Sequence, residues 1–213
     1  GTDPADHDSD DDDVDDGEEI EDGTDPKDSD SDNDDLDDGE ERAAGTDPLD
    51  PASYAADPER AALIALYNAT DGDNWTDNTG WQTPPLAADG FALPGTECGW
   101  FGVTCTGDSV TELSLQGNQL SGSIPAAIGN LTNLTTLNLN NNQLTGSIPA
   151  ELGTLANLIY LDIVNNQLAG SIPAELGNLA NLTWLNLGQN QLSGSIPVEL
   201  GNLANLTTLN LGL

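Results

Sequence analysis

A 24-residue repeat, which runs from Val110 to the last residue, constrains the fold of this 213-residue chain more than any other feature. A further copy begins at Leu206, after three clean copies: Leu134 to Asn157, Leu158 to Asn181 and Leu182 to Asn205. The apolar residues recur at fixed offsets, which in the first clean copy are Leu134, Leu137, Leu139, Leu144, Ile148, Leu152 and Leu155. Because burial of each such side chain contributes about 1.5–3 kcal/mol, the repeat predicts a solenoid whose coils stack their apolar rows.

The consensus of this repeat is L-x-x-L-x-L-x-x-N-x-L-x-G-x-I-P-x-x-L-G-x-L-x-N, and it resembles the plant-type leucine-rich repeat over residues 110–213. The resemblance implies a right-handed α/β solenoid in which strands alternate with 3-10 or irregular segments. We interpret the recurring asparagines as a ladder that satisfies backbone groups of adjacent coils, at Asn118, Asn142, Asn166 and Asn190. The glycines before Ile-Pro are expected to set the bend of the convex side, at Gly122, Gly146, Gly170 and Gly194.

Residues 57–109 are predicted to form a cap on the first coil, which would otherwise expose an apolar end to water. Asp57-Pro58 is typical of a helix start, and the helix should present one apolar face, formed by Leu63, Leu66 and Tyr67. Residues 98–105 are similar to the C-x-W-x-G-V-x-C signature of the cap on plant-type leucine-rich-repeat proteins. This resemblance implies a stapling disulfide between Cys98 and Cys105; a zinc half-site or a redox pair is the alternative.

Residues 1–50 carry a second repeat, of 22 residues, marked by Gly-Thr-Asp-Pro at positions 1, 23 and 45. Each full copy spaces its carboxylates as D-x-D-x-D-x-x-x-D-x-x-E: Asp8, Asp10, Asp12, Asp16 and Glu19 in the first, and Asp30, Asp32, Asp34, Asp38 and Glu41 in the second. Carboxylates on alternate residues of a tight loop can turn inward together, and the later glutamate can complete the roughly six to eight oxygens that Ca2+ prefers. The pattern therefore predicts one calcium site per copy, and Mg2+ fits it less well.

This loop resembles an EF-hand but departs from it, since Asp13 and Asp35 stand at the sixth position, where an EF-hand has glycine. With its Asp-Gly-Glu-Glu and Gly-Thr-Asp-Pro strings, the array is similar to thrombospondin type 3 repeats in their bacterial form. The resemblance implies calcium-dependent folding of a stalk or spacer in secreted and surface proteins, followed here by a linker over residues 51–56. An acidic disordered linker is the alternative.

Calcium-coupled folding is also expected because the copies hold so few apolar residues, namely Val14, Ile20 and Leu36. Such a small core cannot offset an ordering cost of about 1–2 kcal/mol per residue. His7 has Ser29 as its counterpart in the second copy, so we predict a solvated histidine and no ligand role.

Charge excludes several classes of function. The net charge is −35, 27 of the 38 acidic residues lie at or before residue 60, and no lysine or arginine follows Arg60. Such a negative electrostatic field repels nucleic acid and anionic lipid. The chain also has no run of about 18 apolar residues that could cross a membrane. The cap and the solenoid contain no histidine or lysine, so we predict no enzyme. Both ends fall inside repeats, and the chain is expected to be part of a longer protein.

Binding is predicted on the variable positions that flank the strand leucines, on the concave face of the solenoid. The patch with binding character there comprises Tyr160, Trp184, Asp162, Asn138 and Asn186, and it suits a peptide or a sugar. Ordinary solvent-facing residues are the alternative. The sequence thus predicts an extracellular calcium-binding adhesion module for a protein or carbohydrate partner. A structural stalk without a ligand is one alternative. Another is ice or mineral binding by the row Thr111, Thr135, Thr183 and Thr207, which Ile159 interrupts.

Overall fold

The computed structural model of the protein describes residues 7–32, 37–44, 47–49, 57–87, 89–107 and 109–212. Within these ranges three α-helices lie in the amino-terminal part: α1, Asp16–Asp22; α2, Asp38–Ala44; and α3, Pro58–Ala69. α3 begins where predicted, because the Asp57 carboxylate accepts a hydrogen bond of 2.8 Å from the Glu59 N–H. Among the residues described, none of the helices has the length and apolar character needed to cross a bilayer.

Ten strands follow in the described part of the chain: β1, Val103–Thr106; β2, Ser109–Ser114; β3, Ser121–Ser123; β4, Thr136–Asn138; β5, Gln143–Thr145; β6, Tyr160–Asp162; β7, Ala169–Gly170; β8, Trp184–Asn186; β9, Gln191–Leu192; and β10, Thr208–Asn210. Six of them form one sheet in the order β1-β2-β4-β6-β8-β10. β1 is antiparallel to β2, whereas the later strands are parallel and pair equivalent residues of successive repeats. Each repeat therefore contributes one strand to a continuous sheet, as a solenoid requires.

The rest of each coil consists of short strands and 3-10 turns. β3 pairs with β5 and β7 with β9. One 3-10 segment per coil packs against the next: Ala126–Asn130, Ala150–Thr154, Ala174–Asn178 and Val198–Asn202. The glycine before Ile-Pro has a φ between 77° and 100° in all four coils. This left-handed conformation strains any residue with a Cβ, which explains the glycine in every copy.

The core of the solenoid is the predicted apolar stack. The seven residues from Leu134 to Leu155 that were assigned to the interior are all at most 3% exposed. Asn142 confirms the asparagine ladder: its side-chain oxygen accepts the N–H groups of Asn118 and Leu120 at 3.0 Å, and its nitrogen donates to the Leu115 carbonyl at 2.8 Å. One amide thus satisfies buried backbone groups that the irregular turns leave unpaired.

The cap is held by a cluster of aromatic rings and by the predicted disulfide. The rings of Tyr67, Trp75, Trp81, Phe91 and Trp100 lie in mutual contact, with centroid separations from 4.8 to 6.0 Å. Cys98 and Cys105 are bonded, with an S–S distance of 2.02 Å, which confirms the pairing. Asn118 joins cap to solenoid, since it donates to the Asp77 carbonyl and accepts the Asp77 N–H at 2.8 and 2.7 Å.

The two acidic copies share one local design. The N–H of Asp16 donates to the carbonyl of His7 at 2.7 Å, and that of Asp38 to the carbonyl of Ser29 at 2.8 Å, so an equivalent hydrogen bond is made at the start of α1 and of α2. Ion pairs from Arg42 on α2 to Glu18 and Asp22 join the second copy to the first.

The apolar residues of the first copy differ in their burial. Val14 is buried, whereas Ile20, which we counted among its apolar residues, is 68% exposed and adds little to a core. The apolar core of this copy is thus even smaller than the sequence suggested.

Candidate metal centre and binding face

The loop of the first copy, residues 8–14, is organised by its own aspartates. The Asp8 carboxylate accepts the N–H groups of Asp12 and Asp13 at 3.2 and 3.0 Å, and Asp12 accepts the N–H of Val14 at 2.8 Å. Asp13, at the position where an EF-hand has glycine, adopts φ 70°. It therefore takes the left-handed conformation that glycine favours at this position.

Five carboxylates of this region form two groups with one member in common. The first comprises Asp8, Asp10 and Asp12; the second comprises Asp12, Glu19 and Asp38. In each group the potential ligand oxygens lie within 4.8 Å of one another. Four of the five residues were predicted as ligands of the first copy, whereas Asp38 was assigned to the second copy and is brought here by the packing of α2.

Burial makes three of these carboxylates, Asp10, Asp12 and Glu19, poor anions in the absence of a cation. Burial, together with the charge of neighbouring carboxylates, raises the pKa of Asp10 to about 6 and that of Glu19 to about 7. Burial also raises the pKa of Asp12, against the lowering effect of N–H donors at Val14 and Gly39. Asp12 Oδ2, Glu19 Oε2 and both oxygens of Asp10 are enclosed and have no hydrogen-bond partner among the residues that the structure describes.

The donor set fits a hard divalent cation. Two oxygens bound to one Ca2+ ion lie at most about 5 Å apart, twice a bond length of about 2.3–2.6 Å, and the observed groups meet that limit. Unpaired buried carboxylates would cost several kcal/mol each, whereas a cation would satisfy them. The arrangement has the chemistry of an oxygen-ligated metal centre.

The remaining predicted ligands are less fully defined. Asp16 and Asp38 are held by equivalent serines, because Ser9 and Ser31 each donate a backbone N–H at 2.8 Å and a hydroxyl to the carboxylate. In the second copy Asp30 and Asp32 are half-buried and Glu41 is fully buried. Asp34, Leu36 and the linker 51–56 lie outside the described residues. His7 is exposed.

The six-stranded sheet aligns the predicted binding rows. Thr136, Tyr160, Trp184 and Thr208 pair in register, as do Asn138, Asp162, Asn186 and Asn210. We call the surface formed by these two rows the concave face. On it the Tyr160 and Trp184 rings stack, with centroids 5.6 Å apart and an interplanar angle of 16°. The sequence placed these residues together correctly, because a 24-residue period fixes the register.

The polar members of the patch are largely engaged in hydrogen bonds within the protein, and one of them, Asp162, supports a ring. Asp162 is 5% exposed and accepts the Tyr160 hydroxyl at 3.0 Å and the Val164 N–H at 3.1 Å. Burial raises the pKa of Tyr160, and the bond to Asp162 raises it further. Asn186 is also buried, while Asn138 donates to Gln116 Oε1 at 2.7 Å and remains half-buried. The accessible part of the patch is therefore the aromatic pair with Asn138 beside it.

The threonine row beside the sheet has a structural role. The hydroxyls of Thr135, Thr183 and Thr207 each donate to a backbone carbonyl of the preceding coil, at 2.9, 3.2 and 2.9 Å. The donor capacity of these three hydroxyl groups is therefore used for hydrogen bonds within the solenoid.

Together these features define a capped solenoid that carries an aromatic pair on its sheet. Residues 112–213 match the family described as leucine-rich repeat region. The chain is also similar to one in the crystal structure of the BIR3–SERK2 complex from Arabidopsis thaliana, with 33% identity, a TM-score of 0.61, and coverage of 71% of this chain and 79% of that chain. The protein belongs to the leucine-rich-repeat family, in its plant-type form.

Two further similarities bear on function. A probable inactive receptor kinase of Arabidopsis thaliana is 40% identical over 85 residues, which is 39% of this chain and 11% of that protein. The present chain thus spans about a tenth of that relative. A crystal structure of a plant ice-binding protein matches with 31% identity and a TM-score of 0.60, over 73% of this chain and 47% of that chain.

Proposed function

We propose that this protein is an extracellular, non-enzymatic binding module in which a calcium-stiffened acidic spacer presents a leucine-rich-repeat surface to a protein or carbohydrate partner. The observation that carries the proposal is the stacked Tyr160–Trp184 pair on the concave face. Proteins similar to this chain include a probable inactive receptor kinase and a protein found in a two-protein complex. A disulfide in a small cap agrees with an oxidising, extracellular location.

The aromatic pair suits recognition for a physical reason. Two rings stacked in near-parallel planes offer a rigid apolar surface whose ordering costs little entropy on binding, and such rings dominate the energetics of interfaces. The hydrogen bond from the Tyr160 hydroxyl to Asp162 fixes the tyrosine ring, so the surface is organised before a ligand binds. Trp184 Nε1 is enclosed and has no acceptor within the described residues, so the ring offers a ligand its apolar surface and not its N–H group.

Binding to glycan and peptide arrays tests this assignment. Trp184→Ala should reduce binding of any ligand found by about 30-fold, the loss typical of an aromatic anchor worth about 2 kcal/mol. Thr208→Ala is the matched control, because Thr208 pairs with Trp184 in the same row of the next coil and carries no ring. Ligands that bind Trp184→Ala and the parent protein equally would place recognition elsewhere. A protein that bound nothing would favour a structural stalk.

The calcium part of the proposal rests on the enclosed, unpartnered oxygens of Asp10, Asp12 and Glu19. A bound Ca2+ ion would neutralise the negative charge of these buried carboxylates, and their oxygens would replace water molecules as its ligands. Calorimetric calcium titration of the full chain should show saturable sites, and far-UV circular dichroism should show helix gained with calcium. If the chelator-treated protein keeps α1 and α2 protected from hydrogen exchange, calcium does not order this segment.

Ice binding is a second candidate because a protein of that activity shares the fold. The threonine row is its surface here, but the donation of three hydroxyls to the preceding coil limits what they can offer to ice. Ice-recrystallisation inhibition by the full chain, and its loss in Thr135→Val, would support this function. Inactivity at micromolar protein would remove it.

A further inference from the structure

We propose that Asp38 of the second acidic copy completes the calcium site of the first copy, so that one ion ties two consecutive copies together. This inference rests on the proposed calcium function and makes it more specific. The 22-residue period alone suggested closed sites, one within each copy. The geometry instead places a ligand of one copy among those of its neighbour, with oxygens of Asp12, Glu19 and Asp38 within 4.8 Å of one another.

The burial of these three carboxylates is independent evidence that the cluster binds a cation. Glu19 and Asp38 are fully buried and Asp12 is 5% exposed. Glu19 Oε2 and Asp12 Oδ2 have no hydrogen-bond partner in the described ranges. The nearby arginine, Arg42, is engaged at the helix surface by Glu18 and Asp22. A cation that neutralises three enclosed carboxylates must therefore come from solvent.

The contact between copies is set by backbone as well as by side chains. A Cβ built on Gly39 would clash with the Asp12 carbonyl oxygen and lie 3.4 Å from Val14 Cγ2, so the start of α2 sits directly on the first loop. The Asp38 side chain is fixed in turn by the N–H and hydroxyl of Ser31, at 2.8 and 2.7 Å. Each oxygen of that carboxylate retains a lone pair for a metal.

The same logic makes the two sites unequal. Asp38 lies 22 residues after Asp16, and a further step of 22 reaches Arg60. Arg60 belongs to the cap, where it pairs with Asp89 and Glu97. The ligand set of the second copy thus has no aspartate at the bridging position, and the first site should bind calcium more tightly.

Two matched pairs of variants in the full chain test the bridge. Asp38→Asn keeps the shape of the side chain and removes its charge; its control is Asp37→Asn, which removes the same charge from an exposed neighbour that belongs to neither carboxylate group. Gly39→Ala forces the second copy off Asp12 without removing a ligand; its control is Gly17→Ala, whose Cβ would meet nothing within 4 Å. Calorimetry with CaCl2 at pH 7.5 measures affinity. Near-UV circular dichroism of the cap aromatics reports whether the rest of the protein is intact.

We expect Asp38→Asn and Gly39→Ala to weaken the tighter site by about tenfold or more, because charge count and rigidity set calcium affinity, and both controls to change it by less than about threefold. If parent protein binds two ions and each variant matches its control, the bridge is refuted while the calcium function stands. If the parent binds no calcium at millimolar concentration, both fail. Should Asp38→Asn prevent ordering altogether, the glycine pair decides.

Discussion

Replacement of Arg60 by methionine should destabilise the cap severely, and the structure indicates by how much. The Arg60 guanidinium donates to Asp89 at 2.8–3.0 Å, to the Ala92 carbonyl at 2.8 Å, and to Glu97 in a close ion pair. Its central carbon lies 5.4 Å from the centre of the Trp100 ring. One buried cation therefore joins α3 to the segment that carries the disulfide.

The magnitude follows from the exposure of the partners. The Glu97 side chain is 9% exposed, so the loss of Arg60 leaves a buried, uncompensated carboxylate, which costs about 3–5 kcal/mol. Asp89 is 37% exposed, so water can solvate it and its pair contributes at most about 1 kcal/mol. Arg60→Met/Glu97→Gln should recover about half of the loss, because the second change removes the stranded charge.

Urea unfolding followed by tryptophan fluorescence measures these differences, since Trp75, Trp81 and Trp100 all lie in the cap. Asp89→Asn is the control and should cost about 1 kcal/mol or less. A loss below about 1 kcal/mol for Arg60→Met, or a double variant no more stable than the single one, would refute the argument that the buried charge dominates.

Three other outcomes follow from the structure. Replacement of Cys98 and Cys105 by serine opens a short loop and should lower stability by about 2–3 kcal/mol in the same urea assay, with parent protein in reductant as a check. Asn142→Ala strands two buried N–H groups of the preceding coil and should cost about 2 kcal/mol or more by thermal unfolding; Gln143→Ala, at an exposed neighbouring position, should cost far less. The raised pKa values of Asp10 (about 6) and Glu19 (about 7) mean that calcium must displace protons. Affinity measured by calorimetry should fall as pH drops from 7.5 to 5.5. Without calcium the pH dependence of stability runs in the opposite direction. Because the pKa of Glu19 is raised in the folded state, the ordered array is more stable at low pH, and this stability is lost as the pH rises through about 7.

The solenoid was predictable because its determinants are periodic and local. Once Leu137 and Leu161 occupy equivalent positions, parallel register carries every flanking residue with them, and Tyr160 must meet Trp184. Strand register could not reveal how deeply each side chain is buried. Asp162 looked like an accessible carboxylate of the binding face, yet it is buried under the Tyr160 hydroxyl because its side chain closes onto the turn at Val164.

Contacts between distant segments escaped the sequence for a different reason. Arg60 appeared only as a boundary of the charge distribution, since its partners Asp89 and Glu97 lie 29 and 37 residues away. A signal was present, because a lone cation before more than 150 residues without lysine or arginine is a candidate for an ion pair with a specific anion. Asp38 escaped likewise, because a repeat gives the order of ligands within a copy and leaves open how neighbouring copies pack.

The two halves of the chain solve the same problem with different partners. Irregular backbone and polar side chains that leave water must find hydrogen bonds or charges elsewhere. In the solenoid the chain supplies them itself, since each ladder asparagine, such as Asn142, binds the turn of the coil before it. In the acidic array the chain encloses oxygens of Asp10, Asp12 and Glu19 and leaves them without partners among the described residues. We therefore propose that order in the solenoid is intrinsic, whereas order in the array depends on bound calcium. On that proposal the stiffness of the spacer would follow the calcium concentration while the shape of the binding face would not, so the environment would control how the face is presented without altering the face itself.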